Sequence, residues 1–328
     1  MGGKAMNTRR ADRLKRSIVF LLFTLLWLTS APSSQAGQHR IVSLAPNWTH
    51  TVAELGALDQ VVGVTRYAIF PDSIPAMVQR GDLVDVGGFL DIDTALVDSL
   101  NPDLVLTSTQ LQRRYHPWLK RRGVRVIHVD EKSLQESYDR ILELGEFLGM
   151  EAKARAMVDG IQRELDEVRA KYADTPKVKV YYEINYYYKC VPGADSYITE
   201  LIRIAGGDPL FSDRPGIAPS VTWEEVVEAD PEVILIPWWA TAGEEGPHYE
   251  GPLAGNGTTT PKRIATRPGA EKISAVRHGK VRYIDSAKTK QAGPMIPEAA
   301  RLFAEAIHAE GNMARLELDE VPKDINDQ

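Results

Sequence analysis

The chain of 328 residues contains a single cysteine, Cys190, so no internal disulfide can form and stability has to come from buried apolar area. It has no Gly-rich phosphate loop, no Gly-x-Ser-x-Gly elbow, no His-Glu-x-x-His pair and no paired cysteines. The signatures of the common nucleotide-dependent, acyl-transfer and zinc-hydrolytic enzymes are therefore missing, and the chain does not read as an enzyme that needs a cofactor of its own. No apolar run reaches the ~20 residues that span a bilayer. The longest, residues 18–28, has eleven, follows Arg9, Arg10, Arg13, Lys15 and Arg16, and precedes Ser34-Gln35-Ala36. That arrangement is the basic, apolar and small-residue sequence of a secretory signal. Residues 1–36 are expected to be removed near Ala36, leaving a soluble periplasmic protein. No cysteine follows the cut to carry a lipid, and Thr8-Arg9-Arg10 is only a partial twin-arginine signal.

The signal holds six of the 39 basic residues and one of the 45 acidic ones, so the remainder carries 33 against 44, a net charge near −11. Such a surface repels phosphate backbones, and nucleic acid is not expected as a partner.

What is present is a repeated α/β pattern. In residues 40–130 short apolar runs alternate with helical spacing, the mark of parallel βαβ units. Strands are expected at residues 40–45 (RIVSLA), 61–64, 104–107 and 124–129, with helices at 49–56 and 111–122 and a left-handed cap at Gly123. Residues 133–148 and 151–172 read as helices. The second has one apolar stripe, Ala154, Met157, Val158, Ile161, Leu165 and Val168, and at ~1.5 Å per residue is long enough to run across two lobes. Behind it the strand–helix alternation restarts at residues 177–183 and 196–204.

Two segments echo the first half: TALVDSLNPDLVL (94–106) matches WEEVVEADPEVIL (223–235), and GVRVIHVD (123–130) resembles GKVRYID (279–285). The expected organisation is a signal (1–36), an α/β lobe (37–150), a linking helix (151–174), a second α/β lobe (175–310) and a polar tail (311–328). Ligands of open parallel sheets sit beyond the carboxyl ends of the strands, so the cleft between the lobes is the expected site. Residues 240–268, rich in Gly, Thr and Pro, read as a long loop of the second lobe.

The stretches RIVSLAPNWT, VVGVTRYAIFP, VGGFLDID, NPDLVLTS, VYYEI, LIRIAGG, DPEVILI and RPGAEKISAVRHGKV occur in the order found in class III periplasmic substrate-binding proteins of ABC importers, which the chain resembles from residue 40 to about 308. The resemblance implies an α/β fold of two Rossmann-like lobes with central parallel sheets, joined by a single long backbone helix, with the ligand cleft between them. It implies no catalysis, no resident cofactor, a monomer, and capture of cobalamin, a ferric siderophore, haem or, more rarely, an oxyanion for an ABC permease dimer. A ligand-sensing module feeding a membrane receptor is compatible with the same fold.

Tyr67 and Phe89 stand where cobalamin-binding relatives place aromatic residues. Tyr187, Tyr188, Trp238 and Trp239 follow expected strands of the second lobe, and large planar chelates are held by aromatic walls. His50 replaces a usual Glu and has the chemistry of a metal ligand, although a polar loop residue explains it as well. Cys190, two residues past the tyrosine run, has the chemistry of a thiolate ligand or nucleophile, although a small buried residue explains it as well. After the last strand the acid, aromatics and Arg of cobalamin-binding relatives are replaced by Ser286-Ala287-Lys288-Thr289-Lys290-Gln291, and Lys288 and Lys290 suit an anionic ligand group. Relatives dock on the importer through one acid per lobe. Glu224 matches that of the second lobe, whereas the first-lobe position is Ala95, so Asp93 or Asp98 is expected to substitute.

Overall fold

The computed structural model describes residues 39–184, 189–238 and 261–310. Nine strands form two parallel sheets. The first contains β1 (Ile41–Ser43), β2 (Val61–Val64), β3 (Val84–Asp85), β4 (Leu104–Ser108) and β5 (Arg125–Val129), in the order β3-β2-β1-β4-β5. The second contains β6 (Val178–Tyr182), β7 (Gly207–Pro209), β8 (Val233–Trp238) and β9 (Val281–Asp285), in the order β7-β6-β8-β9. Every pairing is parallel, with Ile41 opposite both Val61 and Leu104 in the first sheet and Val180 opposite Val233 in the second. β1 and β4 are buried along their whole length, as strands covered by helices on both faces must be.

The first lobe is completed by α1 (Pro46–Leu55), α2 (Ser73–Arg80), α3 (Thr94–Ser99), α4 (Thr109–Gln112), α5 (His116–Arg121) and α6 (Leu134–Leu148). α7 (Glu151–Lys171) is the long helix. Beyond it lie α8 (Tyr197–Ile204), α9 (Trp223–Ala229), α10 (Pro261–Ala265), α11 (Ser274–Arg277), α12 (Ser286–Thr289) and α13 (Ile296–His308).

α7 buries Ala154, Val158, Ile161, Leu165 and Val168, spaced three and four residues apart. It packs against α1 and α6 on one side and α8 and α13 on the other. A Cβ on Gly145 of α6 would lie 2.3 Å from that of Ala154, so this glycine sets the closeness of the α6–α7 crossing. Through α7 a single apolar cluster runs from Ile41, Val64 and Leu104 to Val180, Leu235 and Phe303, spanning one face of each sheet. The opposite faces have separate cores, Val42, Val97 and Val105 in the first lobe and Tyr181, Trp223 and Ile234 in the second.

The internal echo is structural. α3–β4 and α9–β8 are the same helix–strand unit, and their pre-proline residues, Asn101 and Asp230, both take φ +47°. Asn and Asp are the residues that tolerate the left-handed region. Gly123 and Gly279, each ahead of an edge strand, have φ +68° and +64°.

Some expected elements differ. The helix expected over 111–122 is α4, a 3₁₀ turn and α5, because Pro117 lacks the N–H that a continuous helix needs and instead starts a new one. α1 begins at Pro46, not Thr49, with the proline in its first turn. β3 and β7 are short edge strands that the apolar periodicity does not mark.

Candidate functional site

In both sheets the strand order reverses at an interior point, between β1 and β4 in the first and between β6 and β8 in the second. Such switch points leave a crevice beyond the strand ends.

On the first lobe the strand ends are tied together by Gln112, which is fully buried. Its Nε2 donates to the carbonyls of Leu44 (2.6 Å) and Phe89 (3.0 Å), and its Oε1 accepts from the N–H of Ser108 (2.8 Å). Trp48 Nε1 donates to the Thr107 carbonyl at 2.8 Å, and the Tyr115 hydroxyl to that of Leu90 at 2.6 Å. The loop carrying Phe89 is therefore pinned at two successive carbonyls. Arg66, beside Tyr67, pairs with Asp91 of the same loop at 3.1 Å. Tyr67 and Phe89 are half-buried on these two adjoining loops. Leu111, one residue before the buried Gln112, is 56% exposed, the one exposed large apolar side chain among the described residues.

Next to this apolar rim lies a polar floor to which both lobes contribute. Ser108, at the end of β4, donates to Glu131 Oε1 at 2.6 Å just past β5. Glu131 takes φ +67°, and burial with the nearby Asp130 and Glu136 carboxylates pushes its carboxyl up to about 7. From the second lobe, Lys290 Nζ donates to the Ile184 carbonyl at 3.0 Å. Burial brings this ammonium down to about 8, against the opposing pull of Glu131 and Cys190. Tyr197 joins the two sides: its N–H donates to the Glu131 carbonyl and its hydroxyl to the Thr289 carbonyl, each at 3.3 Å. Burial raises the Cys190 thiol, whose Sγ lies 3.8 Å from Ser220 Oγ.

A separate network stiffens the outer part of the first lobe. Asp130 accepts from Arg113 Nε and His128 Nε2, both at 2.8 Å, and Thr107 Oγ1 lies 2.8 Å from His128 Nδ1 and 3.0 Å from His116 Nε2. The Arg113 guanidinium holds Asp130 far below the usual carboxylate range. Thr107 is fully buried, so this Thr-His-Asp alignment offers no accessible nucleophile.

The sequence-derived site residues separate in space. Lys288 faces Glu298 of α13 at 3.6 Å, whereas Lys290 turns to the floor. His50 is buried, with Nε2 3.5 Å from Glu54 and its ring 5.8 Å from Phe70, and burial lowers its pKa. Among the described residues no group of three or more His, Cys, Asp or Glu side chains is placed to hold a metal. Tyr187, Tyr188 and Trp239 lie outside the described residues, as does the side chain of Trp238 at the end of β8. Glu224 is exposed in the first turn of α9, and Asp93 caps α3 by accepting from the Leu96 N–H at 2.9 Å. Sequence reading did not single out Ser108, Leu111, Gln112 or Glu131. Of these, only the acidic pair Asp130-Glu131 directly after an expected strand carries a visible signal.

Comparison with known proteins bears on most of the chain. An uncharacterized ABC transporter substrate-binding lipoprotein of Bacillus subtilis is 27% identical over 280 residues, 82% of this chain and 80% of that protein. A vitamin B12-binding protein of Vibrio parahaemolyticus is 23% identical over 220 residues, 65% of this chain and 76% of that one. The fold matches crystal structures of the periplasmic vitamin B12 binding protein of Vibrio cholerae (TM-score 0.63, 20% identity, 82% of this chain and 96% of that one). It also matches the periplasmic heme-binding protein of Roseiflexus sp. RS-1 (TM-score 0.65, 21% identity, 83% and 100%). The family model described as "Periplasmic binding protein" matches residues 41–287, and the chain belongs to that family of substrate-binding proteins.

Proposed function

We propose that the chain is an exported binding protein that captures a metal-bearing chelate with apolar faces, a corrinoid by preference, and delivers it to an ABC importer. The observation that carries this reading is the make-up of the strand ends: half-buried Tyr67 and Phe89 and exposed Leu111 supply apolar surface, and Ser108, Glu131 and Lys290 supply polar groups. A bare ion calls for a tight cluster of charged ligands, and a wide chelate for flat apolar walls with a few placed polar groups. Among the described residues His50 pairs with one acidic side chain, Glu54, so a metal on this protein would arrive already chelated. Vitamin B12-binding proteins among the sequence relatives favour the corrinoid. Haem and ferric siderophores are the second reading, because Lys290 offers a cation in the cleft and the solved neighbours include heme-binding proteins.

The division into lobes 37–150 and 175–310 around a linking helix 151–174, export by cleavage near Ala36, and docking on the permease through Glu224 and Asp93 belong to the same proposal. Titration of the mature protein with cobinamide, cobalamin, haemin and a ferric siderophore, followed by tryptophan fluorescence, tests it. Quenching by at least one chelate is expected. Tight binding of a bare metal ion or oxyanion, with none of the four bound, overturns it.

A further inference from the structure

We infer that Glu131 of the first lobe and Lys290 of the second act together as a selectivity filter on the cleft floor, admitting an uncharged, carboxamide-bearing ligand face and rejecting a carboxylate-bearing one. The inference rests on the chelate-capture reading above and narrows its ligand class.

Lys290 alone would make the cleft a receptor for anions. It is not alone, because Tyr197 holds Glu131 by its backbone N–H and the residue preceding Lys290 by its hydroxyl. The two charged groups are thus fixed beside one side chain and lie within electrostatic reach of each other. Among the described residues neither is exhausted by its contacts. Lys290 uses one of three donors on the Ile184 carbonyl, and Glu131 has one oxygen on Ser108, leaving acceptor sites on a group that offers about four.

A primary amide matches this pair, with its carbonyl accepting from Nζ and its NH₂ donating to the carboxylate. A ligand carboxylate gains Lys290 but meets Glu131, and like charges brought together in a partly buried site oppose binding strongly. Glu131 stays in place at the cost of a non-glycine left-handed backbone. The corrin periphery carries acetamide and propionamide chains, whereas haem carries two propionates, so the floor separates the two leading ligand classes by charge.

Competitive titration of the mature protein with cobinamide and haemin at pH 8, for the native chain, Glu131→Gln and Lys290→Gln, tests this. Glu131→Gln keeps the shape and a partner for Ser108 while removing the opposing charge, and thermal melts check that both variants fold. The native protein is expected to prefer cobinamide, and Glu131→Gln to shift the affinity ratio toward haemin by about tenfold or more. Lys290→Gln is expected to weaken haemin further. A native preference for haemin, or a ratio unchanged within about twofold in folded Glu131→Gln, overturns the filter while leaving chelate capture standing. Binding of neither probe, nor of any other chelate, by folded native protein removes chelate capture and the filter together.

Discussion

The carbonyl of Glu131, past the last strand of the first sheet, accepts a hydrogen bond from the N–H of Tyr197, the first residue of α8. Two other hydrogen bonds cross between the lobes nearby, from the Leu134 N–H to Glu200 Oε1 at 2.9 Å and from Asn47 Nδ2 to the Ala292 carbonyl at 3.3 Å, and Gly293 lies so close to Thr51 that a Cβ there would meet its hydroxyl. Beneath them the apolar cluster around α7 is continuous from one sheet to the other. A hinge would have to break these bonds and shear that core, whereas a small rocking motion breaks neither.

Ligand is therefore expected to enter a largely preformed cleft. Small-angle scattering with and without bound cobinamide should give radii of gyration within about 0.5 Å of each other. The Tyr197 amide should remain slow to exchange in the free protein. A contraction of 2 Å or more would show that these contacts open.

The second lobe depends on a buried ion pair. Glu183, fully buried after β6, accepts two hydrogen bonds from Arg267, at 2.6 and 2.9 Å, and a third from the Tyr181 hydroxyl at 2.8 Å. The guanidinium also lies over the Trp223 ring, 4.7 Å from its centre. Arg267→Met leaves a buried carboxylate without its cation, which costs about 3–5 kcal/mol. Urea unfolding monitored by circular dichroism measures it. A loss below 1 kcal/mol would mean that water reaches Glu183 in solution.

The legible parts of the fold are those written in local chemistry. Apolar runs placed β1, β2, β4, β5 and β6, and the stripe on α7 foretold the face it buries. The Asn101-Pro102 and Asp230-Pro231 dipeptides exposed the internal repeat because each needs a residue that tolerates positive φ. The floor of the cleft was harder to read. Lys288 and Lys290 look equivalent in sequence, yet two residues along the turn of α12 send one to Glu298 and the other to Ile184. Glu131 reaches Ser108 across 23 positions and Gln112 reaches Phe89 and Leu44 across 23 and 68, and no spacing rule connects Gln112 to Leu44.

Glu131 also gives stability a pH dependence. Its folded-state carboxyl is raised to about 7, so the folded protein holds that proton more tightly than the unfolded chain. The stabilisation is complete below the ordinary carboxyl range and is lost as pH rises through about 7. Lys290, lowered to about 8, is charged in both states between pH 5 and 7 and adds little slope there. Asp130 stays ionised across that window, and His116 and His128 titrate alike in native and variant protein. From pH 5 to 7.5 the native chain should lose about 2 kcal/mol relative to Glu131→Gln. Parallel pH profiles from chemical denaturation would show that the carboxyl is solvated.

Docking on the importer is expected to depend on single exposed charges. Glu224 is exposed and takes no part in the capping box of α9, which joins Thr222 and Glu225, and the latter also pairs with Arg214. Reversing its charge in Glu224→Arg leaves the cap intact and costs at most about 0.5–1 kcal/mol through the helix dipole. Asp93 differs, since its carboxylate is the cap of α3, and replacing it by Arg would remove a bond worth about 1 kcal/mol. Asp93→Asn removes the charge and keeps the cap. With importer reconstituted in vesicles, both variants should bind cobinamide as the native protein does but stimulate transport several-fold less, because charges at the edge of an interface govern association with the partner. Normal transport by Glu224→Arg would remove the first turn of α9 from the docking surface, and normal transport by Asp93→Asn would leave the acidic contact of the first lobe to Asp98, which is tied to Arg122.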